Sequence, residues 1–229
     1  MDITFCIPCL DSAESIIDTI VSINEAMDEF DYTYEIIIID DHSEDNTADI
    51  VEEYLLKNPD VAPVLIKNKA NFGLGYNYVE GAIVGNGKYY KMVHSGNLER
   101  KEGTMKFIKH IGEADIITSY VTDNRMFFRR LISKFYTLII SILSGYSLKY
   151  YQSSALVLRD DVLKYHPYNL GNSFLTEYMV ILLNNARSVK EIEMTPIYGA
   201  NSQSKAISWR NLVSALQCFI NIILRRLYK

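Results

Sequence analysis

The stretch Glu35-Ile-Ile-Ile-Ile-Asp-Asp-His-Ser-Glu-Asp-Asn-Thr47 decides the fold of this chain. Its four consecutive isoleucines are β-branched and apolar, and such a run predicts a strand buried on both faces, as in a parallel sheet. The run ends at Asp40 and Asp41, at the end of the strand where open α/β sheets bind their ligands. Alternatively, Asp45 or Asn46 caps the helix that follows, and the other acids are solvated turn residues. The stretch therefore predicts either a ligand-binding edge or a plain strand-to-helix turn.

Strands and helices alternate on both sides of this stretch. Strands are predicted over residues 3–8, 36–39, 61–66 and 88–93, with helices between them. Asp11 and Ser12 are expected to cap the first helix. The alternation predicts an α/β fold with a mainly parallel, Rossmann-like sheet flanked by helices. In such a sheet the loops at 8–12, 40–46 and 94–99 share one edge, which is expected to face the ligand.

Length, composition and charge limit the possible number of domains and the classes of partner. The length of 229 residues suits one α/β domain with an appended C-terminal element. A hydrophobic content of 48% and a charged content of 22% indicate a folded core and exclude a disordered chain. The net charge of −5 gives no reason to expect a nucleic-acid partner.

The charges are unevenly distributed along the chain. Residues 1–60 hold 17 acids and a single basic residue, Lys57, whereas residues 124–159 and 201–229 hold basic residues and no acid. Within these acid-free segments, 127–143 and 211–227 are predicted to form amphipathic or buried helices, and their uninterrupted apolar runs are too short to span a bilayer. They suit an anionic substrate or a membrane surface. The alternatives are packing on the sheet, a homodimer contact or a solvated helix face.

The three cysteines, Cys6, Cys9 and Cys218, do not form a disulfide framework. Cys6 and Cys9 match the C-x-x-C spacing, but the first lies within the predicted strand, so redox chemistry is a distant alternative. Asp2 stands where a secretory signal peptide would carry basic residues. A cytoplasmic location is therefore expected, with the cytoplasmic face of a membrane as a more specific alternative.

Seven short motifs follow one another over residues 1–210. They are Cys6-Ile-Pro-Cys-Leu-Asp11, Asp40-Asp-His-Ser-Glu-Asp-Asn-Thr47, Asn71-Phe-Gly-Leu-Gly75, Gly87-Lys-Tyr-Tyr90, Arg129-Arg-Leu-Ile-Ser133, Phe174-Leu-Thr-Glu177 and Ser204-Lys-Ala-Ile-Ser-Trp209. In this order they resemble motifs of the family-2 glycosyltransferases with a GT-A fold, especially the dolichyl-phosphate mannose synthase-like and bacterial surface-polysaccharide branches. The resemblance implies a GT-A domain over 1–205, with a nucleotide-sugar-binding half (1–100) and an acceptor half (101–205). A basic amphipathic helix over 206–229 would follow.

The resemblance also implies a donor site. Pro8 and Leu10 would shape the pocket for the base. Asp41 would accept hydrogen bonds from the base or the ribose while Asp40 supports the loop, although the reverse assignment stays open. The backbone would approach the nucleotide at Asn71, Gly73 and Gly75.

The diphosphate end of the site departs from the family pattern. The family holds Mn²⁺ or Mg²⁺ with a D-x-D motif, and the aligned positions here are Ser95-Gly-Asn97, which carry no carboxylate. Ser95 and Asn97 remain as donor contacts, and Asn97 with Glu99 as the remaining candidate metal ligands. His94 is expected to be structural. Three outcomes stay open: weak metal binding, metal-independent transfer or lost activity.

The acceptor side has one candidate catalytic group. Glu177 lies among apolar neighbours in a predicted helix over 173–183, and it could act as general base toward an acceptor hydroxyl. It could equally orient the acceptor or bind Lys205. The candidate phosphate and acceptor contacts are Arg129, Arg130, Ser204 and Lys205.

The resemblance thus implies an inverting glycosyltransferase that moves a sugar from a UDP- or GDP-linked donor to a glycan or polyprenyl-phosphate acceptor. The reaction would serve the synthesis of cell-surface polysaccharide or glycolipid. The alternative is a catalytically impaired protein of the same fold that binds a nucleotide-sugar or a protein partner.

Overall fold

The computed structural model describes residues 1–58, 63–121, 127–165, 173–194 and 209–227. The strands of these segments are β1 (Ile3–Cys9), β2 (Tyr34–Asp40), β3 (Val64–Lys67), β4 (Tyr89–Met92), β5 (Ile116–Val121), β6 (Leu156–Leu158) and β7 (Val189–Met194). The helices are α1 (Ile16–Met27), α2 (Thr47–Lys57), α3 (Leu74–Val84), α4 (Arg100–Ile108), α5 (Phe127–Ser144), α6 (Arg159–Lys164), α7 (Phe174–Leu183) and α8 (Trp209–Leu227).

The strands form one sheet in the order β3-β2-β1-β4-β6-β5-β7. The pairs among β1, β2, β3 and β4 are parallel, as is the pair of β5 with β7, whereas β6 runs antiparallel to both β4 and β5. The predicted α/β fold with a mainly parallel sheet is thus confirmed. The strand order reverses direction between β1 and β4, and in open α/β sheets such a switch point forms a crevice at the carboxyl ends of the strands.

The isoleucines of β2 divide between two core layers. Ile36 and Ile38 pack with α1 on one face of the sheet, and Ile37 and Ile39 pack with α3 on the other. Each of the four is at most 3% exposed. Because successive side chains of a strand point to opposite faces, an unbroken apolar run fits only a strand that is covered on both sides.

Several predicted boundaries need correction. The third strand begins at Val64, later than the predicted 61, and residues 59–62 lie outside the described part of the chain. The first helix begins at Ile16 with Ser15 at its N-cap position, so the prediction that Asp11 and Ser12 cap it was wrong. The carbonyl oxygen of Ser12 instead accepts bonds from the amides of Ser15 and Ile16 in a turn that precedes the helix.

The C-x-x-C pair lies inside β1, where both thiols are buried and unoxidised. Cys6 belongs to the core layer on the α3 side of the sheet and Cys9 to the layer on the α1 side, so the two side chains point apart. Burial raises the pKa of Cys6 to about 12, which keeps its thiol protonated at neutral pH. This environment does not support redox chemistry at the pair.

The two acid-free segments form the helices α5 and α8, as predicted. None of the helices in the described segments is long and apolar enough to cross a bilayer. The predicted boundary between the GT-A domain and the C-terminal helix, at residue 205, lies outside the described residues.

Candidate active site

Three loops meet at the carboxyl ends of β1, β2 and β4. The amide of Asp11 donates to Ser43 Oγ at 3.0 Å, and the amide of Ser12 donates to Thr47 Oγ1 at 2.8 Å. The hydroxyl of Ser12 also lies 2.8 Å from the hydroxyl of Ser95. These bonds hold together the loops that were predicted to share one edge of the sheet.

Backbone strain is concentrated at this edge. The non-glycine residues with a positive φ in the described segments are Asp11 (48°), His42 (68°), Asn97 (49°) and Arg100 (50°). All of them directly follow β1, β2 or β4, within the three loops or at the start of α4. His42 lies in the stretch Asp40–Thr47, which resembles the D-D-G-S motif of the family-2 glycosyltransferases. At the position of His42 that motif has glycine, the residue that adopts this conformation without steric cost. Such strain persists where the surroundings enforce it, which is common at functional sites.

Asp41 fastens the loop that precedes α3. It is 4% exposed. Its Oδ1 accepts from Asn68 Nδ2 at 2.9 Å and from the amide of Phe72 at 2.9 Å, while Oδ2 accepts from the amide of Gly73 at 2.8 Å. Burial alone would raise the pKa of Asp41, but the bonds from Phe72, Asn68, Asn77 and Gly73 outweigh it and hold the pKa below its ordinary value. Much of the hydrogen-bonding capacity of this carboxylate is therefore taken up by the protein, and its predicted contact to the nucleoside stays a prediction.

Asp40 is 5% exposed and is also engaged within the protein. It accepts from the hydroxyl of Ser43, and the amide of Ser43 lies 3.4 Å from its Oδ2. Asp40 thus stabilises the turn in which it lies by bonding to Ser43. Asp41 instead connects that turn to a second loop about thirty residues further along the chain.

Asp41→Asn is expected to lower the free energy of unfolding by about 2 kcal/mol at neutral pH, because an amide nitrogen would then face N–H donors. The folded-state pKa of Asp41 is lowered, so its contribution is present above the unfolded-state pKa of about 3.9 and is lost as the pH falls through the folded-state value. The deficit of the variant should therefore shrink in acid. Urea unfolding from neutral to acid pH measures this, with the exposed Glu44→Gln as the control. A deficit that does not change with pH would contradict the assignment.

The glycine-containing loop supplies groups that the sequence did not single out. Gly73 has a φ of 87° at the N-cap position of α3. Next to it, the exposed rings of Phe72 and Tyr76 are in contact, with their centroids 4.8 Å apart and their planes tilted by 42°. Asn68 donates to the buried Asn77 at 2.8 Å. An aromatic residue inside an N-x-G-x-G motif is the signal that could have pointed to the exposed ring pair.

The other residues predicted to bind the donor differ in exposure. Leu10 is 44% exposed at the site edge, whereas Pro8 is buried inside β1 in register with Ile39. Gly75 is buried within α3 and Asn71 is exposed. Only Leu10 and Asn71 of this set therefore offer side chains to a ligand directly.

The loop after β4 is built around a buried ion pair that the sequence did not reveal. Lys91 is 0% exposed, and its Nζ lies 3.0 Å from Glu99 Oε1. The same ammonium contacts the carbonyl oxygen of Ser154 at 3.1 Å and lies 3.7 Å from the centroid of the Phe107 ring. Burial lowers the pKa of Lys91, and Glu99 partly offsets this effect. Burial likewise lowers the pKa of the neighbouring His94, which favours a neutral imidazole.

Glu177 lies in the first turn of α7, where the helix dipole favours a carboxylate. It is 1% exposed, and its Oε2 accepts from Asn221 Nδ2 of α8 at 2.8 Å. Two serines make a second link between these elements: Ser214 Oγ donates to Ser173 Oγ at 2.9 Å. Glu177 is buried among the apolar residues of α7, whereas its contact with α8 was not foreseen, and its catalytic role stays a prediction.

The structure brings some predicted groups together and leaves others out. Asp40, Asp41, Gly73 and Ser95 lie at the shared edge, while Glu177 belongs to the α7–α8 contact. Arg129 and Arg130 lie in the first turn of α5, and their side chains are outside the described part of the chain, as are Ser204 and Lys205 entirely.

Residues 4–95 match the family model described as glycosyl transferase family 2. This match covers nearly all of β1, the strands β2 to β4 and the first two loops of the site edge, and it ends at Ser95, near the start of the third loop. The amino-terminal part of this chain is similar to glycosyl transferase family 2. Over 77 residues the chain is 42% identical to a dolichyl-phosphate beta-glucosyltransferase of Dictyostelium discoideum, covering 33% of this chain and 24% of the relative. The chain thus spans about a quarter of the length of the curated relatives it matches.

Solved glycosyltransferase structures share the fold of this chain. Residues 1–349 of S. aureus TarS, in complex with UDP-GlcNAc, match with a TM-score of 0.64 at 17% identity, covering 98% of this chain and 67% of that fragment. Glucosyl-3-phosphoglycerate synthase from Mycobacterium tuberculosis, with Mn²⁺, UDP and its product, matches with a TM-score of 0.65 at 13% identity, covering 98% and 79%. These similarities establish the GT-A fold.

The residues of this chain do not fit a divalent cation at the position where the family-2 pattern has D-x-D. No cluster of three or more histidine, cysteine, aspartate or glutamate side chains capable of holding a metal occurs in the described segments. Glu99, the single carboxylate beside Asn97, is already paired with the ammonium of Lys91. A divalent cation placed there would compete with that ammonium for the same carboxylate.

Proposed function

We propose that this chain is an inverting glycosyltransferase that uses a UDP- or GDP-linked sugar. The supporting observation is the meeting of three loops at the switch point between β1 and β4, where the residues that join the loops, from Asp11 to Ser95, lie within the matched residues 4–95. An acceptor oxygen would attack the anomeric carbon as the bond to the diphosphate breaks, and the nucleoside diphosphate would leave with that electron pair. A hydroxyl acceptor would also lose its proton to a base.

The donor would lie along the shared edge. Leu10 and the exposed Phe72–Tyr76 ring pair offer apolar surface to a base, and the hydroxyl of Ser95 and the amide of Asn97 are near the diphosphate end. Asp40 and Asp41 would keep these loops in position and contact the nucleoside through whatever accepting capacity the protein leaves them. The diphosphate charge would be met by Arg129, Arg130, Ser204 and Lys205.

The acceptor is proposed to be a polyprenyl phosphate or a glycan, in the synthesis of a glycolipid or cell-surface polysaccharide. The 42% sequence identity over 77 residues to a dolichyl-phosphate beta-glucosyltransferase favours a polyprenyl phosphate as the acceptor. A phosphate oxygen is already an anion and needs no base, whereas a glycan hydroxyl would need one, and Glu177 is the candidate. A polyprenyl carrier would place the enzyme at the cytoplasmic face of a membrane.

A second candidate function is donor or partner binding without transfer. The Lys91–Glu99 pair favours it, because it occupies the carboxylate nearest to the lost D-x-D position. Such a protein would keep the nucleoside end of the site and lack the charge that the departing diphosphate requires.

We expect nucleoside diphosphate release when the protein is incubated with a UDP- or GDP-sugar and polyprenyl phosphate in vesicles or detergent. Release should persist in EDTA, because the residues near Asn97 do not fit a divalent cation. Asp40→Ala/Asp41→Ala is the inactive control, since it releases the loops of the site. Donor binding by calorimetry without release across phosphate and glycan acceptors would favour the second candidate. Release that requires Mn²⁺ or Mg²⁺ would contradict the metal-independent form of the reaction.

A further inference from the structure

The first residue of α4, Arg100, is a strained and exposed cation at the edge of the site. Its φ of 50° lies in the left-handed region, which glycine adopts without steric cost and arginine does not. The residue is exposed, and no ion pair of Arg100 with an acidic side chain occurs within the described residues. A strained backbone that carries an uncommitted charged side chain, at an edge suited to ligands, indicates a function for that side chain.

The charge around Arg100 is opposite to that of a D-x-D loop. Lys91 and Glu99, which lie 3.0 Å apart, neutralise each other. The lowered pKa of His94 favours its neutral form, so this residue adds no charge. Arg100 therefore leaves residues 91–100 with one net positive charge, whereas the two carboxylates of D-x-D would leave them negative until a divalent cation binds. A positively charged segment attracts an anion without the help of a metal ion.

Arg100 also lies close to the diphosphate end of the proposed donor site. The positions aligned with D-x-D end at Asn97, three residues earlier, and three residues of fully extended chain span at most about 11 Å. The guanidinium is planar, always charged and able to donate two parallel hydrogen bonds to a phosphate group. The next cation along the chain, Lys101, is already engaged, because its Nζ lies 2.9 Å from Glu29 Oε1. Arg100 is therefore the better placed of the two to meet a phosphate.

We propose that Arg100 binds the diphosphate of the donor in place of a divalent cation. This role rests on the proposed function, in which the diphosphate lies near Ser95 and Asn97. The guanidinium would donate to the phosphate oxygens and offset the charge of the departing nucleoside diphosphate, alongside the basic residues already proposed. Lys91 is fully buried, so it contributes by neutralising Glu99 and not by touching the ligand.

Calorimetry of the full chain in EDTA tests this role by comparing UDP with uridine and GDP with guanosine. The unmodified chain is expected to bind one of the two nucleoside diphosphates more tightly than the matching nucleoside. Arg100→Gly should weaken the binding of that nucleoside diphosphate about ten- to a hundredfold and leave the binding of the nucleoside unchanged. Glycine also removes the backbone strain at this position. The variant should therefore unfold at the same temperature as the unmodified chain or at a higher one.

Two further variants separate a phosphate contact from a general loss of positive charge. Lys101→Ala removes the adjacent cation, which is held by Glu29, and it should bind the nucleoside diphosphate as the unmodified chain does. Arg100→Lys keeps the charge without the two parallel donors, and it should recover only part of the affinity that Arg100→Gly loses.

The role of Arg100 and the proposed transfer can fail separately. Unchanged affinity in Arg100→Gly, an equal loss for nucleoside and nucleoside diphosphate, or binding that requires Mn²⁺ or Mg²⁺ would overturn the role of Arg100. Nucleoside diphosphate binding that depends on Arg100, without release from any donor with phosphate or glycan acceptors, would support that role and overturn the transfer. A chain that binds neither UDP nor GDP would overturn both.

Discussion

Glu99→Ala is expected to lower the free energy of unfolding by about 3 kcal/mol at neutral pH, measured by urea denaturation. The variant leaves the ammonium of Lys91 fully buried without a counter-ion. The cost falls at the lower end of the range for such a change, because the carbonyl oxygen of Ser154 and the ring of Phe107 still contact that ammonium. This single change should therefore destabilise the chain more than the loss of any exposed ion pair.

The pH dependence follows from the lowered pKa of Lys91. Between the folded-state pKa and the unfolded-state value of about 10.4, the unfolded chain binds more protons, so the free energy of unfolding rises with pH. Removal of Glu99 takes away the group that raises the folded-state pKa, which widens that window. The deficit of Glu99→Ala should consequently shrink as the solution is made alkaline.

A double variant separates a buried charge from a simple loss of packing. Lys91→Met/Glu99→Leu should unfold at nearly the urea concentration of the unmodified chain, because both charges are removed together. Glu52→Ala breaks the exposed pair with Lys67 and should shift the midpoint of urea unfolding far less than Glu99→Ala does. A double variant as unstable as Glu99→Ala would show that the pair is not the source of the effect.

The sequence predicted the elements whose pattern is local. Four consecutive isoleucines predicted a strand covered on both faces, which β2 is, and a helix was expected after it, which is α2. The start of α1 was predicted too early because Asp11 and Ser12 resemble helix caps. Their backbone groups instead bond to the neighbouring loops, as in the bond from the Ser12 amide to Thr47, and no local pattern reports such a contact.

The position of the site could be predicted from the sequence, whereas the hydrogen bonds and ion pairs within it could not. The alternation of strands and helices implied that the loops after β1, β2 and β4 would meet. It could not show that Asp41 is engaged by Phe72 and Gly73, about thirty residues away in the chain. Nor could it show that Lys91, a charged residue in a short strand, is fully buried, because its partners come from three separate segments.

Glu177→Gln is expected to lower kcat/KM for a hydroxyl acceptor by about 10²- to 10⁴-fold, the usual contribution of a general base. The amide keeps the shape of the side chain and can still accept a hydrogen bond from Asn221, so the α7–α8 contact should survive. Nucleoside diphosphate release with a glycan acceptor measures the effect. With a polyprenyl phosphate acceptor the same variant should lose less than about tenfold, because the attacking oxygen is already ionised.

Two controls distinguish a base from a structural residue. Asn221→Ala keeps the carboxylate and removes its partner on α8, and we expect it to change kcat/KM by less than about tenfold. Calorimetric binding of the donor should be unchanged in both variants, since Glu177 belongs to the α7–α8 contact and not to the edge where the three loops meet. Equal losses with phosphate and hydroxyl acceptors, or an equal loss in Asn221→Ala, would assign Glu177 to positioning. That result would also tie the reaction to α8, because Asn221 lies on that helix.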